Sequence, residues 1–117
     1  MIKTGSFYNP ASTDNLIAGA NPAIVTGAVT LTGLGVLKRG TVLALSGSTY
    51  SVIASATTGK ANCIVADDID TTGGATVVVY KAGMFNRKAL VTEGYTITPA
   101  DEEALRNGGI FLSDMAE

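Results

Sequence analysis

The sequence contains no histidine, no tryptophan and a single cysteine, Cys63. Without histidine, a general base near neutral pH would have to be a carboxylate or a lysine with a strongly shifted pKa. One cysteine cannot form an intrachain disulfide. Cys63 stands between apolar neighbours in "ANCIVA", where a free cysteine usually behaves as a small buried hydrophobe. We therefore expect no catalytic residues, no cofactor and no metal site.

Charge is also scarce, at 15% of the 117 residues against about 25% in a typical soluble domain. The net charge of −2 argues against nucleic-acid binding, which needs a concentrated basic face. Mean hydropathy is +0.32, yet no apolar run approaches the roughly 18 residues that span a membrane. The start, "MIKTGSFYNP", has no signal-peptide pattern, so we expect synthesis in a reducing cytoplasm and burial of apolar surface in an oligomer or larger assembly.

Residues 1–21 have almost no charge and no apolar period. Lys3 and Asp14 are their only charged residues, and two Asn-Pro steps favour extended or turning backbone. A disordered tail is one interpretation. An extended arm that orders on a partner, by adding hydrogen bonds to a sheet edge, fits the adjacent aromatics and the missing charge better. The candidate anchors of this arm are Ile2, Phe7, Tyr8, Asn9, Pro10 and Ile17.

Residues 22–117 carry strand patterns. "IVTGAVTLTG" alternates, with Val25, Val29 and Leu31 on one side, as in a half-buried strand. In "LKRG", Gly40 can take the positive φ of a turn, and "SGS" joins "TVLAL" to "TYSVIA" as a hairpin. "KANCIVADDI" and "ATVVVYKAG" are two further strands. Five or so short strands separated by turns predict a small, mainly β domain over this range.

One short helix is marked near the C-terminus, in "TITPADEEALRNGGI". Thr98 is a good N-cap, and Pro99 stands at the first helical position, where its missing N–H costs nothing. Asp101 places negative charge at the positive end of the helix dipole. Asn107 and Gly108 can adopt the left-handed conformation that stops the helix. We expect Ala104 and Leu105 to dock it on the sheet, and "IFLSDMAE" to form a last short strand or an extended tail.

Three stretches resemble sites of chemistry, and each has a simpler interpretation. "TGLGVLKRG" lacks P-loop spacing and the context of a dinucleotide-binding loop, so a hairpin turn is the better account. "ADDIDTTGG" lacks the ligands of a calcium loop, which leaves solvated acids at a strand end, one of them capping a turn. Glu102 and Glu103 are helix neighbours that do not face each other. We expect that the chain is not an enzyme.

The stretch "YKAGMFNRKALV" follows the most strand-like run of the chain, "ATVVVY". We expect Gly83 to permit a sharp corner after the strand and Phe85 to fold back onto the body. Three interpretations of the surrounding cations stay open: a solvated strand exit, the rim of a subunit or partner interface, and an anion site. The possible rim residues are Lys81, Phe85, Arg87 and Lys88.

The run "ANCIVADDIDTTGGATVVVYKAGMFNRKALV" resembles the central part of the lambda-type phage head decoration proteins, also called capsid cement proteins. In that family a strand leads through a polar turn to a strand that ends in an aromatic residue, followed by Lys-small-Gly-x-Phe. The matching residues are Cys63, Ile64, Val65, Tyr80, Lys81, Gly83, Phe85 and Leu90. The closing stretch "DEEALRNGGIFLS" and the earlier hairpin "LKRGTVLALSGSTYSVIA" are also similar to the family, so the resemblance covers about residues 37–114.

This resemblance implies a β-clip or β-barrel-like domain that assembles as a homotrimer on the outside of the expanded head. At three-fold and quasi-three-fold positions, such proteins clamp the major capsid protein against internal DNA pressure, and their N-terminal arm pairs with capsid strands. It implies no cofactor and no direct contact with nucleic acid or membrane, and synthesis in the host cytoplasm. Two alternatives remain: another virion subunit (tail, baseplate or head-fibre base) and a small β ligand-binding domain.

Overall fold

The structure is a computed structural model that describes residues 16–19, 23–92 and 94–113. The strands of this part of the chain are β1 (Ile17–Gly19), β2 (Val25–Leu31), β3 (Val36–Leu37), β4 (Val42–Ser46), β5 (Thr49–Val52), β6 (Ala61–Val65), β7 (Ile69–Asp70), β8 (Ala75–Asn86) and β9 (Ile110–Ser113). The helix α1 covers Pro99–Gly108, and Ser55–Thr57 and Arg87–Ala89 are 3-10 turns. The predicted mainly β class with one helix near the C-terminus is confirmed.

Strand β8 organises the main sheet. Its first half lies between β2 and β6, and the sheet continues through β4 to β5. Its second half lies between β1 and β9. Only β9 is parallel to β8 among these pairs, because α1 carries the chain back to the starting end of that half. A long shared strand therefore joins two sets of partners.

The sheet has an apolar core on each of its faces. One core contains Phe85, Leu105 and Ile110, and the other contains Cys63 and Val79. Strands β4 and β6 supply alternate side chains to both cores. Strands that are covered on both faces have continuous apolar sequences, which explains why "TVLAL" and "NCIVA" do not alternate.

The predicted turns are confirmed where glycine was required. Gly40 has φ 97° after "LKR", and Gly47 has φ 64° at the tip of the β4–β5 hairpin. The stretch "TGLGVLKRG" is not a single hairpin turn, however. Its residues Val36 and Leu37 form β3, which pairs with β7 in a separate two-stranded sheet. The partner of β3 lies more than 30 residues away, so local spacing could not indicate it.

The predicted alternation of β2 holds only from Thr26 onward. Leu31 is buried and Val29 is half-buried, as expected, but Val25 is 50% exposed. The register with β8 shifts between Val25 and Thr26. Such a bulge sets two residues of one strand against one of its partner, so Val25 loses its expected place on the inner side.

The helix begins as predicted and ends one residue later. Thr98 Oγ1 accepts a hydrogen bond from the Asp101 N–H at 3.2 Å, and the Asp101 carboxylate accepts one from the Thr98 N–H at 3.1 Å. This reciprocal pair is a capping box. The left-handed residue is Gly109, with φ 106°, and Gly108 remains helical. Leu105 is fully buried on the sheet, as expected.

Candidate functional site

Both described chain ends meet at the last residue of β8. The Asn86 N–H donates a hydrogen bond to the Leu16 carbonyl at 2.7 Å on one edge. On the other edge Asn86 is the register partner of Ser113, the last described residue. The described chain therefore begins and ends at the same place, which we call the Asn86 end of the sheet.

The residue that shapes this end is Gly83. We expected a corner after the strand, but β8 does not stop there and continues to Asn86. Gly83 has φ 139°, and an added Cβ would lie 3.0 Å from the Phe85 ring and 3.1 Å from Ile24. Glycine is required here because the backbone is in a region that other residues rarely adopt and because the ring packs directly against it. The glycine marks the point where β8 changes partners.

Phe85 packs onto the body, as expected. It is fully buried, and its ring lies 5.0 Å from that of Tyr80, centroid to centroid. A phenyl ring at this depth stabilises the fold by about 1.5–3 kcal/mol relative to leaving it exposed. The side chain is part of the core beneath the proposed rim and is not on the surface of the described chain.

The three cations around Phe85 have different environments. Arg87 forms a two-pronged ion pair with Glu102 of α1, at 2.5 and 3.1 Å. Lys88 is exposed beside Asn86. The Lys81 stem passes over Gly27, and its ammonium group lies 5.9 Å from the centre of the Tyr50 ring. The structure thus brings Arg87 and Lys88 to the Asn86 end and places Lys81 elsewhere.

Five of the six predicted arm residues, Ile2, Phe7, Tyr8, Asn9 and Pro10, lie outside the described residues. The sixth, Ile17, belongs to β1, where its register partner is Phe85 and its side chain is 40% exposed. Its neighbour Leu16 is fully buried in the core with Phe85. The described part of residues 1–21 is therefore packed on β8. A three-residue strand has no period long enough to reveal this from sequence.

The buried carboxylate of Asp101 organises the surface beside α1. The sequence pattern indicated only its negative charge at the start of the helix. Asp101 is fully buried and accepts hydrogen bonds from the Tyr95 hydroxyl at 2.5 Å, the Gly59 N–H at 2.6 Å and the Thr98 hydroxyl at 2.9 Å. Burial by itself would raise the pKa of Asp101, but these hydrogen bonds together hold it below its ordinary value. One side chain thus joins three separate segments.

Three further groups that could support chemistry, on Cys63, Asp68 and Asp70, are buried or hydrogen-bonded within the fold. Burial raises the pKa of the Cys63 thiol to about 11, and the charge of Lys81 offsets only part of this effect. Asp70 caps the following turn by accepting from the Thr72 N–H at 2.9 Å, and hydrogen bonding with Thr72 lowers its pKa. Asp68 accepts from the Arg39 N–H at 2.7 Å. The prediction that one of these acids caps a turn is confirmed.

The described ranges contain no cluster of acidic or cysteine side chains placed to hold a metal ion. Among the same residues, no helix combines the length and hydrophobicity needed to cross a bilayer. A cleft of about 600 Å³ lies open between Val36, Ile53 and Tyr95. None of its described lining residues is charged.

Residues 8–110 match the family model of the bacteriophage lambda head decoration protein D. The chain belongs to this family. Curated proteins give no match. The predicted resemblance to lambda-type decoration proteins is confirmed, and the matched range includes β8 and α1 in full. The family is a structural one that decorates the phage head, so this member is a component of the virion capsid with a decorating role.

Proposed function

We propose that the protein is a capsid cement that binds the outer surface of the expanded head as a homotrimer. It occupies three-fold and quasi-three-fold positions, and it holds neighbouring major capsid subunits together against the internal pressure of DNA. Its partners are its own copies and the major capsid protein, with no direct contact to nucleic acid or membrane and no catalytic step. The match of residues 8–110 to the head decoration family carries this proposal.

We place the capsid-binding segment in residues 1–15, which is shorter than the predicted arm of residues 1–21. Leu16 is a core residue and β1 is paired with β8, so the body begins at residue 16. The anchors within the segment are Ile2, Phe7, Tyr8, Asn9 and Pro10. Aromatic side chains carry a large share of interface energy, and burying each stabilises the contact by about 1.5–3 kcal/mol.

The geometry of the Asn86 end supports this assignment. Leu16 and Ser113 flank Asn86. The leading segment is therefore attached to the body next to the last described residue and next to two cations, Arg87 and Lys88. We propose that Lys88 pairs with a carboxylate across the contact, at its rim. Arg87 contributes through its pair with Glu102, which fixes α1 to this end, and the buried Phe85 supports the rim from within the body. Lys81 lies beside Tyr50, so we leave it out of the rim.

Trimer formation multiplies the strength of each segment. Three segments that bind one shell act through effective concentration, which raises overall affinity without any new kind of contact. Each arm can then be individually weak. An uncharged leading segment also suits a strand that must pair with a protein edge, since only main-chain hydrogen bonds and apolar contacts are needed.

A head-binding assay tests the proposal. Full-length protein and a variant lacking residues 1–15 are mixed with expanded empty heads of the phage that encodes the chain, and bound protein is measured by co-sedimentation. Light scattering gives the mass of each free protein, and circular dichroism checks its fold. We expect both to be folded trimers and only the full-length protein to bind, with density at the three-fold positions by electron microscopy.

Three results would contradict this proposal. Head binding of unchanged affinity by the truncated protein would remove the role of residues 1–15. Failure of the full-length protein to bind expanded heads would favour another virion subunit, of the tail, baseplate or head-fibre base. A monomer by light scattering would favour the ligand-binding alternative. A deletion of residues 1–21 is unsuitable for the assay because it also removes the core residue Leu16.

A further inference from the structure

The end of the sheet opposite Asn86 has a cleft of its own. Leu31 and Ala75 are register partners there, about 11 strand residues from Asn86, or roughly 36 Å at the usual rise, in a body 43 Å long. A cleft of about 310 Å³ lies between the end of β2 and the β4–β5 hairpin. We call it the distal cleft. Its side chains with hydroxyl groups are Thr30, Thr32, Ser48, Thr49 and Tyr50.

The hydroxyl groups of the distal cleft are not used by the fold. No described residue donates a hydrogen bond to any of these five hydroxyl groups or accepts one from them. The buried hydroxyls of Thr41 and Thr71, by contrast, donate to the Lys38 carbonyl at 2.7 Å and to the Gly35 carbonyl at 2.8 Å. Each hydroxyl can donate one hydrogen bond and accept two, so the distal cleft offers several donors and acceptors to a ligand.

The cleft also has an apolar part. Leu31 is buried and Leu34 is half-buried on its floor, and Tyr50 is half-buried in its wall. The Lys81 ammonium lies 5.9 Å from the centre of the Tyr50 ring, a distance at which a cation is attracted to the ring. This contact helps to hold the ring in place. A tyrosine ring presents an apolar face together with a polar tip.

The composition of the lining restricts the chemistry of a ligand. None of the described residues that line the distal cleft is charged, and the nearby Lys81 ammonium lies over the Tyr50 ring, so the lining itself would not offset the desolvation of an ionic ligand. A purely apolar ligand would cover the hydroxyls without replacing their hydrogen bonds to water, which costs free energy. The remaining class is a neutral ligand that carries hydroxyl groups and an apolar face. The volume is at the lower end of small-molecule sites, roughly 300–1,000 Å³.

We propose that the distal cleft binds a neutral saccharide unit. The hydroxyls of Thr49 and Tyr50 exchange hydrogen bonds with the sugar, and a C–H face of the sugar packs on the Tyr50 ring. Binding in the cleft does not depend on the proposed function. The orientation of the cleft on the virion does rest on the proposed function, because the cleft faces away from the head only if the Asn86 end contacts the head.

The test uses the full chain labelled with ¹⁵N and the methyl glycosides of glucose, galactose, mannose and N-acetylglucosamine. Amide shifts are followed during titration, with glycerol as a control for general polyol effects. We expect at least one glycoside to shift the amides around Thr30, Ser48 and Thr49 in a saturating manner. Thr49→Val and Tyr50→Phe should each weaken binding roughly two- to tenfold, as expected for the loss of one hydrogen bond.

The matched control is Thr96→Val, an exposed threonine of the segment before α1 that does not line the cleft, and it should leave the affinity unchanged. The proposal is overturned if no glycoside causes saturable shifts, if glycerol causes the same shifts, or if Thr49→Val and Thr96→Val bind equally. Head binding is measured on the same samples. A protein that binds heads but no glycoside refutes only this inference, and one that binds a glycoside but no heads refutes only the proposed function.

Discussion

The side chain of Asp101 connects three segments of the described chain. Its carboxylate is fully buried and joins the loop at Gly59, the segment at Tyr95 and the start of α1 at Thr98. Buried carboxylates are stable only when hydrogen bonds replace their lost water. The loss of one partner would leave a buried group unsatisfied, which costs about 1–3 kcal/mol.

The lowered pKa of Asp101 makes the stability of the protein depend on pH. The pKa is below its ordinary value in the folded state and close to 3.9 in an unfolded chain. The unfolded state therefore binds a proton more readily. The stabilisation is complete above the unfolded pKa and is lost as the pH falls through the folded pKa.

We expect Asp101→Asn to lower the free energy of unfolding by about 2–4 kcal/mol at pH 7. Asparagine would replace one accepting carboxylate oxygen with an NH₂ group, which donates and would face other N–H or O–H donors. The variant should also show a weaker pH dependence of stability below about pH 5, because the titrating group is gone. Urea unfolding at a series of pH values measures both effects.

The control for this prediction is Glu103→Gln, which breaks an exposed pair with Arg106 at 2.9 Å. Exposed pairs of this kind contribute little, so we expect a change within about 0.5 kcal/mol. If Asp101→Asn proved as stable as the parent and kept its acid sensitivity, the assigned role of Asp101 would be wrong.

Among the elements, β1 brings part of residues 1–21 onto the main sheet. It has three residues and one fully buried neighbour, Leu16. That leucine packs against the turn at Gly40, since its Cδ1 lies 3.7 Å from the position that a Gly40 Cβ would take. Residues 1–21 have little charge and no apolar periodicity, yet the described part of this segment packs on the domain as a strand.

We expect Leu16→Ala to lower the free energy of unfolding by about 2–5 kcal/mol, the usual cost of truncating a buried leucine. Ile17→Ala should cost less than about 1.5 kcal/mol, because the Ile17 side chain is 40% exposed and surface changes cost less. Thermal or urea unfolding of both variants measures the difference. Equal effects would mean that β1 is not docked as described.

For the whole molecule, the main consequence is that one sheet separates two cores. Strands β4, β6 and β8 contribute residues to both, so neither core can be exposed without breaking the same strands. Small domains with shared elements usually unfold in one cooperative step. Cys63 is fully buried in one core, with a thiol pKa raised to about 11, and it can report on this step.

We expect Cys63 to resist a thiol reagent in the native protein at pH 8 and to become reactive in the same urea range in which circular dichroism is lost. A Ser55→Cys variant in a Cys63→Ala background is the matched control. Ser55 is exposed, so this thiol should react at once without urea. Reaction of Cys63 well before the loss of circular dichroism would show that the two cores unfold separately.

The sequence alone determined the features that a few neighbouring residues specify. The turn at Gly40, the β4–β5 hairpin, the Thr98 cap, the mainly β class and the family could all be predicted, because glycine, proline and capping residues restrict the backbone at their own positions. These signals need no knowledge of distant contacts.

Only the tertiary structure decided the features that depend on residues far apart in the chain. Strand β8 passes through Gly83 because Phe85 and Ile24 pack against that glycine, and Asp101 is buried because Gly59, 42 residues away, donates to it. The pairing of β3 with β7 and the docking of Leu16 on the Asn86 end arise in the same way. A contact between distant segments depends on how both fold, and no local pattern records it.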